Sequence, residues 1–132
     1  MVRFKSLAVA IAAVVLTAAV AHGAASSIST STQSSGGVTV KVTHRSPDPA
    51  DQLRFEITLD TSSANLDKYD LRSSVVLRAG EKTYAPTTVE NKGDGRHREM
   101  TVVFPRVNMR GVEVIIQNVA GVKERAFRFT VE

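Results

Sequence analysis

Apolar and polar residues alternate with a period of two in several segments between Val38 and the end of the chain. Because successive side chains of a β-strand point to opposite faces, each segment is predicted to be a strand with one buried and one wetter face. The five clearest segments are residues 38–43, 53–59, 99–104, 112–117 and 127–132. Two weaker strands are predicted at residues 73–77 and 82–84.

Turn-forming residues separate these segments. Ser-Pro-Asp-Pro at residues 46–49 lies between the first two strands, and Gly80 lies in a predicted tight hairpin between the two weak strands. Residues 91–95, which contain two glycines, are predicted to form a loop because glycine adopts positive φ at little cost. The one candidate for a helical turn is at residues 65–69, and no long helical pattern occurs.

This succession of short strands and turns predicts an all-β fold for residues 38–132. About seven strands at this spacing favour an immunoglobulin-like antiparallel β-sandwich over a closed barrel. The length of the segment suits a single domain.

The first 21 residues have the pattern of a secretory signal peptide. Arg3 and Lys5 form a positively charged start, and residues 7–21 are an uncharged, mostly apolar stretch. Ala19 and Ala21 are small residues at the two positions that a signal peptidase reads. An apolar stretch of this length is short for a bilayer span, which needs roughly 20 residues. We therefore expect an exported protein, periplasmic or extracellular, with no stable membrane span after processing. An uncleaved membrane anchor is the alternative.

Residues 22–37 are predicted to be a flexible tether between the leader and the domain. The stretch from residue 26 to residue 37 reads SSISTSTQSSGG, and Ile28 is its one apolar member. Such a composition buries too little apolar surface to offset the entropy of ordering the chain.

Charge and cysteine content exclude several classes of protein. The chain carries 17 basic and 13 acidic residues, and cleavage of the leader would leave 15 basic residues, interspersed with the acidic ones. A nucleic-acid-binding protein usually has a dense basic stripe, so no nucleic acid partner is expected. With no cysteine, a disulfide framework, a thiolate metal site and a cysteine nucleophile are all ruled out.

No motif of a known enzyme class occurs, so the chain is predicted to be non-catalytic and to need no cofactor. There is neither a Gly-x-Ser-x-Gly sequence nor a phosphate-binding loop. Asp60, Asp67 and Asp70 could ligate calcium, but their spacing is not that of an EF-hand. Bonds within turns are the simpler explanation of these carboxylates.

The strongest candidate for binding is the Arg-His-Arg sequence before the third clear strand. Arg96 and Arg98 flank His97, and two such neighbours should lower the pKa of the histidine and repel a metal cation. The three residues therefore favour an acidic group on a partner, which would be a protein or a small molecule. Asp60 and Ser62 are weaker binding candidates, since polar residues at strand ends and loops often carry function. The protein is expected to be a monomer.

The sequence is compatible with two alternative functions. Cleavage after Ala21 would make His22 the N-terminal residue, whose amine and ring nitrogen could chelate copper with His97 as a further ligand. A periplasmic copper-handling protein is therefore one alternative. A structural protein associated with the cell envelope is the other.

Three short stretches resemble a group of small exported prokaryotic β-sandwich proteins that have no assigned activity. They are residues 59–62 (LDTS), residues 95–98 (GRHR) with 102–105 (VVFP), and residues 119–127 (VAGVKERAF). The group has a Leu-Asp-Thr-His-Ser turn, a Gly-Gly-His-His-Arg strand start and a Gly-Val-Pro-Glu-Arg-Val-Phe ending. The resemblance implies the same sandwich fold and export, and implies no activity.

The chain departs from that group at three positions. Ser62 replaces a histidine, Arg96 replaces the first of two histidines, and Lys123 replaces the proline. If those histidines hold a metal in the group, only His97 is kept here. The resemblance therefore does not carry a metal function to this chain.

Overall fold

The computed structural model describes residues 27–131, which form two antiparallel sheets. Nine strands lie within these residues. They are β1 (Ser27–Ser35), β2 (Val38–Ser46), β3 (Gln52–Thr61), β4 (Val75–Ala79), β5 (Lys82–Tyr84), β6 (Thr88–Gly93), β7 (His97–Pro105), β8 (Gly111–Val119) and β9 (Val122–Thr130). A 3₁₀ turn at Leu66–Lys68 and the four-residue helix α1 (Leu71–Ser74) lie between β3 and β4.

The strand order confirms the immunoglobulin-like sandwich. One sheet has the order β1-β2-β3-β7-β6 and the other β5-β4-β8-β9. Strands β2 to β9 correspond in chain order to strands A, B, C, C′, D, E, F and G of the immunoglobulin fold, with A-B-E-D in one sheet and C′-C-F-G in the other. The single helical turn predicted at residues 65–69 and the hairpin at Gly80 are also confirmed.

Residues 27–131 contain nine strands rather than the predicted seven or so. The two additional strands, β1 and β6, have no alternation of apolar and polar residues. In β6 only Val89 is buried, so its sequence has no apolar period to detect. Residues 91–93, predicted to be loop, continue this edge strand, and the turn to β7 comes after them.

The predicted alternation places the core between the two sheets. In β2, for example, Val38, Val40 and Val42 are each no more than 1% exposed. Burying one such side chain stabilises the fold by about 1.5–3 kcal/mol. The same period brings His44, a polar residue near the end of β2, to the core face, where it is buried.

The tether prediction is wrong for residues 27–37, because β1 occupies Ser27–Ser35 and Gly36 with Gly37 forms its turn into β2. β1 pairs with β2 over nine residue pairs, from Ser27 opposite Ser46 to Ser35 opposite Val38. The amino-acid composition of this segment did not reveal the strand, because main-chain hydrogen bonds hold β1 in place and none of its side chains is buried. The predicted signal peptide, residues 1–21, and the first five tether residues lie outside the described residues.

Apart from residues 85–87, which lead from β5 in one sheet to β6 in the other, the connections between strands gather at two ends of the sandwich. The loop end consists of residues 36–37, 62–70, 94–96 and 120–121, and the far end of residues 47–51, 80–81 and 106–110. Close approaches support this grouping: a Cβ built on Gly37 would lie 2.8 Å from Ser63 Oγ, and one on Gly80 would lie 3.2 Å from Met109 Sδ.

Candidate functional site

The structure brings all five predicted binding residues together at the loop end. Asp60 lies near the end of β3, directly opposite His97 at the start of β7. Arg96 donates from Nη1 to the Ser62 carbonyl oxygen at 2.8 Å. Arg98 follows His97 in β7, so the antiparallel pairing of β3 with β7 assembles the group. We call these five residues the loop-end cluster.

A tight turn sets the position of the Arg-His-Arg sequence. Asp94 Oδ1 accepts hydrogen bonds from the main-chain N–H groups of Arg96 (2.8 Å) and His97 (3.0 Å), and these bonds lower the pKa of Asp94. Gly93 has a φ of 119°, and a Cβ there would overlap the His97 carbonyl oxygen. Sequence reasoning missed the role of Asp94, although an Asp within a Gly-rich loop is typical of such turns.

His97 lies between two carboxylates on the outer face of the first sheet. Its Nδ1 contacts Asp60 Oδ1, and its Nε2 is 3.2 Å from Glu99 Oε2. Hydrogen bonding to Asp60, and secondarily to Glu99, raises the pKa of His97 above its ordinary value of 6.5. The prediction that the flanking arginines lower this pKa is wrong, because the Arg96 and Arg98 side chains bind other partners.

Arg98 lies on the core-facing side of β7, opposite Leu59. Its Nη2 contacts Asp67 Oδ1, and its Nε is buried without a hydrogen-bond partner. This side chain is only 20% exposed. Arg98 therefore links β7 to the loop that carries Asp67, and its guanidinium is already engaged.

Arg96 differs from its two neighbours in having no carboxylate partner among residues 27–131. It is exposed, and the Ser62 carbonyl oxygen holds one side of its guanidinium. Ser62 thus contributes its main chain to the cluster through this bond. Arg96 can meet an acidic group without breaking an ion pair.

Thr61 fixes the loop beside the cluster, a role that sequence reasoning missed. Its hydroxyl donates to the Gly37 carbonyl oxygen at 2.7 Å and accepts from the N–H groups of Ser63 and Ala64 at 3.1 and 2.9 Å. One side chain thereby joins the β1–β2 turn to the loop after β3.

Arg125 closes the sandwich at the same end. It is 1% exposed, and its Nη1 and Nη2 donate to the carbonyl oxygens of Val119 (2.9 Å) and Ser35 (2.8 Å). Its Nε has no hydrogen-bond partner, and no carboxylate of the described residues pairs with it. Burial lowers the pKa of this arginine. The sequence indicates this buried position, because Arg125 lies on the same face of β9 as Phe127 and Phe129.

The structure does not assemble the metal sites considered from sequence. Within residues 27–131 no group of three His, Asp or Glu side chains is placed to hold an ion. Asp67 contacts Arg98, and the Asp70 main-chain carbonyl accepts bonds from the Ser73 and Ser74 hydroxyls. The Asp67 side chain is thus engaged outside its own turn, and the turn bonds at Asp70 are made by its main chain.

The second ligand of the copper alternative, His22, lies outside the described residues. Ser34 of β1 is level with His97, because the strand pairings link the two residues directly across the sheet. Ser27 lies seven residues away from Ser34 along β1, at the far end. Seven strand residues extend about 23 Å, whereas the five residues from His22 to Ser27 can span at most about 18 Å. The main chain from Ser27 to His22 therefore falls short of the row of His97 while β1 stays in the sheet.

A cavity of about 520 Å³ lies away from the loop-end cluster. It is formed on the second sheet near the far end, where Glu113 pairs with Arg78 at 2.9 Å and with Arg128 at 3.2 Å. These bonds, chiefly that to Arg78, lower the pKa of Glu113. Glu113 is shared by the two arginines that line the cavity, and Arg78 also contacts Glu124 at 3.5 Å.

Among residues 27–131, no helix is long and apolar enough to cross a membrane. Comparison with known proteins gives no relative: no family model matches the chain, and neither curated proteins nor solved structures give a significant match.

Proposed function

We propose that the chain is an exported, non-catalytic binding module that contacts its partner at the loop end. The support is the position of the loop-end cluster on loops and strand ends of a rigid sandwich, an arrangement widely used for recognition. The environment of His97 also favours binding over catalysis, because both ring nitrogens are occupied by carboxylates and neither faces a nucleophile.

The single observation that carries the proposal is the environment of Arg96. Its guanidinium is exposed, oriented by Ser62 and free of a carboxylate within the described residues, so it can offer a bidentate contact to an acidic group. His97 and Arg98 act on the partner indirectly. The pair of His97 with Asp60 joins the ends of β7 and β3 beside Arg96, and the pair of Arg98 with Asp67 fixes the loop at residues 62–70. We therefore narrow the Arg-His-Arg hypothesis to one direct contact.

The experiment is capture of partners from an envelope extract of the source organism on immobilised protein, identified by mass spectrometry. The Arg96→Ala variant should lose the partners that wild type retains. Arg128→Ala is the matched control, since that arginine is 87% exposed on the other sheet and should leave capture unchanged. Identical sets of captured proteins from wild type and Arg96→Ala would refute the role of Arg96.

Export is part of the same proposal and is tested separately. Expression of the full chain in a bacterial host should yield protein outside the cytoplasm, with a mature N-terminus directly after Ala21 by intact mass. Full-length protein retained in the cytosol would contradict it. The same mass decides whether His22 is available as an N-terminal copper ligand.

A further inference from the structure

β1 is an addition to a sandwich that is already complete. Strands β2 to β9 supply every strand of the immunoglobulin topology with A-B-E-D and C′-C-F-G sheets. β1 lies on the free edge of β2, where an extended segment adds one strand to the first sheet. This geometry is that of β-strand addition, in which main-chain hydrogen bonds supply the affinity.

The attachment of β1 differs from that of the other long strands because it buries no side chain. Of its nine residues only Ser31 and Gln33 are half-buried, and its large apolar residue, Ile28, is 61% exposed. Its partner β2 buries three valines and His44 in the core. Detaching β1 therefore withdraws none of its own side chains from the core, and such segments open locally at low free energy.

Besides the hydrogen-bond ladder, two polar contacts fix β1 to the neighbouring edge strand β9. Gln33 Nε2 donates to the Ala126 carbonyl oxygen at 2.5 Å, and Arg125 donates to the Ser35 carbonyl oxygen at 2.8 Å. β1 thus covers the edges of β2 and β9 together. Departure of β1 would leave the buried Arg125 guanidinium short of one acceptor, so the vacated site favours a replacement strand.

The connection between β1 and β2 can serve as a hinge. Gly36 and Gly37 form a two-residue turn with φ values of 62° and 80°. Glycine also adopts extended conformations without steric cost, so these two residues can straighten when β1 moves away. The following strand keeps its place because its side chains are in the core.

We propose that β1 exchanges between copies of this chain, so that Ser27–Ser35 of one copy adds to the β2 edge of a second copy. The segment that occupies the β2 edge of the second copy is β1, because β1 already pairs with that edge in register within one copy and makes the contacts to β9. An exchanged pair makes the same hydrogen bonds as the closed monomer, and the balance between them depends on protein concentration. The protein is then a monomer, as expected from the sequence, only in dilute solution.

The absence of cysteine allows a direct test by disulfide trapping. Thr30 in β1 lies opposite Thr43 in β2, and their hydroxyl oxygens are 3.3 Å apart. One preparation carries Thr30→Cys and the other carries Thr43→Cys, and the two are mixed at high concentration under mild oxidation. Exchange should yield a heterodimer linked by a disulfide between the two introduced cysteines, which peptide mass spectrometry identifies.

The control pair mixes Thr30→Cys with Thr88→Cys, since Thr88 is exposed on β6 at the opposite edge of the same sheet. We expect about tenfold more heterodimer from the first pair, because an in-register pair has a high effective concentration. Equal yields from both pairs, or no heterodimer from the first, would overturn the proposal. Circular dichroism of each variant verifies the fold before mixing.

A double variant with Thr30→Cys and Thr43→Cys in one chain locks β1 in place after oxidation under dilute conditions. Light scattering at high concentration should show dimer for the reduced protein and only monomer for the oxidised protein. A dimer that persists in the locked protein would assign the association to another surface. Because this test does not involve Arg96, its failure is distinguishable from failure of the binding function.

Discussion

Two histidine–aspartate pairs lie at opposite ends of the sandwich and show how burial separates stability from recognition. At the far end, His44 Nε2 is 2.6 Å from Asp48 Oδ2, and both side chains are at most 4% exposed. At the loop end, His97 contacts Asp60, and the two side chains are 46% and 54% exposed. The chemical groups are the same, so the difference lies in what surrounds them.

The buried pair is part of the core. The His44 ring packs against Phe55 and Phe129, with ring centroids 5.2 and 6.1 Å apart, and Asp48 Oδ1 also accepts from the Arg54 N–H at 3.1 Å. Asp48 therefore ties the connection between β2 and β3 to both strands. The exposed pair shares its histidine with Glu99 and stays in contact with water. We infer that the first pair specifies the fold and the second orients a surface.

The largest effect is expected from Asp48→Ala. This variant leaves His44 buried without its partner and removes the acceptor for the Arg54 N–H, which should lower the free energy of unfolding by roughly 2–4 kcal/mol. Urea unfolding followed by circular dichroism measures the change. Asp60→Ala is the matched control, because an exposed pair is screened by water and contributes little. An equal fall in the free energy of unfolding of the two variants would show that the buried pair contributes no more to stability than the exposed pair.

A smaller effect is expected in the pH dependence of stability. The folded-state pKa of His97 is raised above 6.5, so its pairs with Asp60 and Glu99 stabilise the fold at low pH. That contribution is fully present below about pH 6.5 and is lost as the pH rises through the folded pKa. The urea midpoint of wild type relative to His97→Gln should therefore fall as the pH rises above about 6.5.

All other side chains are the same in both proteins, so the difference reports on His97. A midpoint difference that grows with pH would mean that the folded pKa of His97 lies below its ordinary value. The flanking arginines would then dominate over the carboxylates, as the sequence alone suggested.

The smallest effect separates the two carboxylates that act on His97. Asp60→Asn should lower the pKa of the imidazole more than Glu99→Gln does, because the bond to Asp60 is the larger of the two causes. Titration of the His97 ring signals by NMR measures both changes, with the His44 signals as an internal reference. A larger fall in the pKa of His97 in Glu99→Gln than in Asp60→Asn would show that Glu99 is the stronger of its two partners.

The sequence predicts the core strands well because burial leaves a period of two that can be read directly. That period extends beyond the apolar residues. His44 continues Val38, Val40 and Val42, and Arg125 precedes Phe127 and Phe129 at the same spacing. Both positions therefore carried a signal for core-facing polar groups, which their residue types concealed.

Other features could not be read from the chain because they depend on pairing. β1 has the composition of a linker, and only the free edge of β2 makes it a strand. The five residues of the loop-end cluster were identifiable singly, but the contact between Asp60 and His97 follows from the register of β3 with β7. That register also decides the partners of the arginines, and hence the direction of the His97 pKa shift.

The first and last described residues leave the fold on the same side. Ser27 lies opposite Ser46, and the Val131 N–H donates to the Arg110 carbonyl oxygen at 2.6 Å, so both lie at the far end. A carrier protein, a solid support or a fluorescent label attached through either residue would project away from Arg96. Joining the two by a short peptide would make the domain a natural scaffold for circular permutation, with new termini in the loop at residues 106–110.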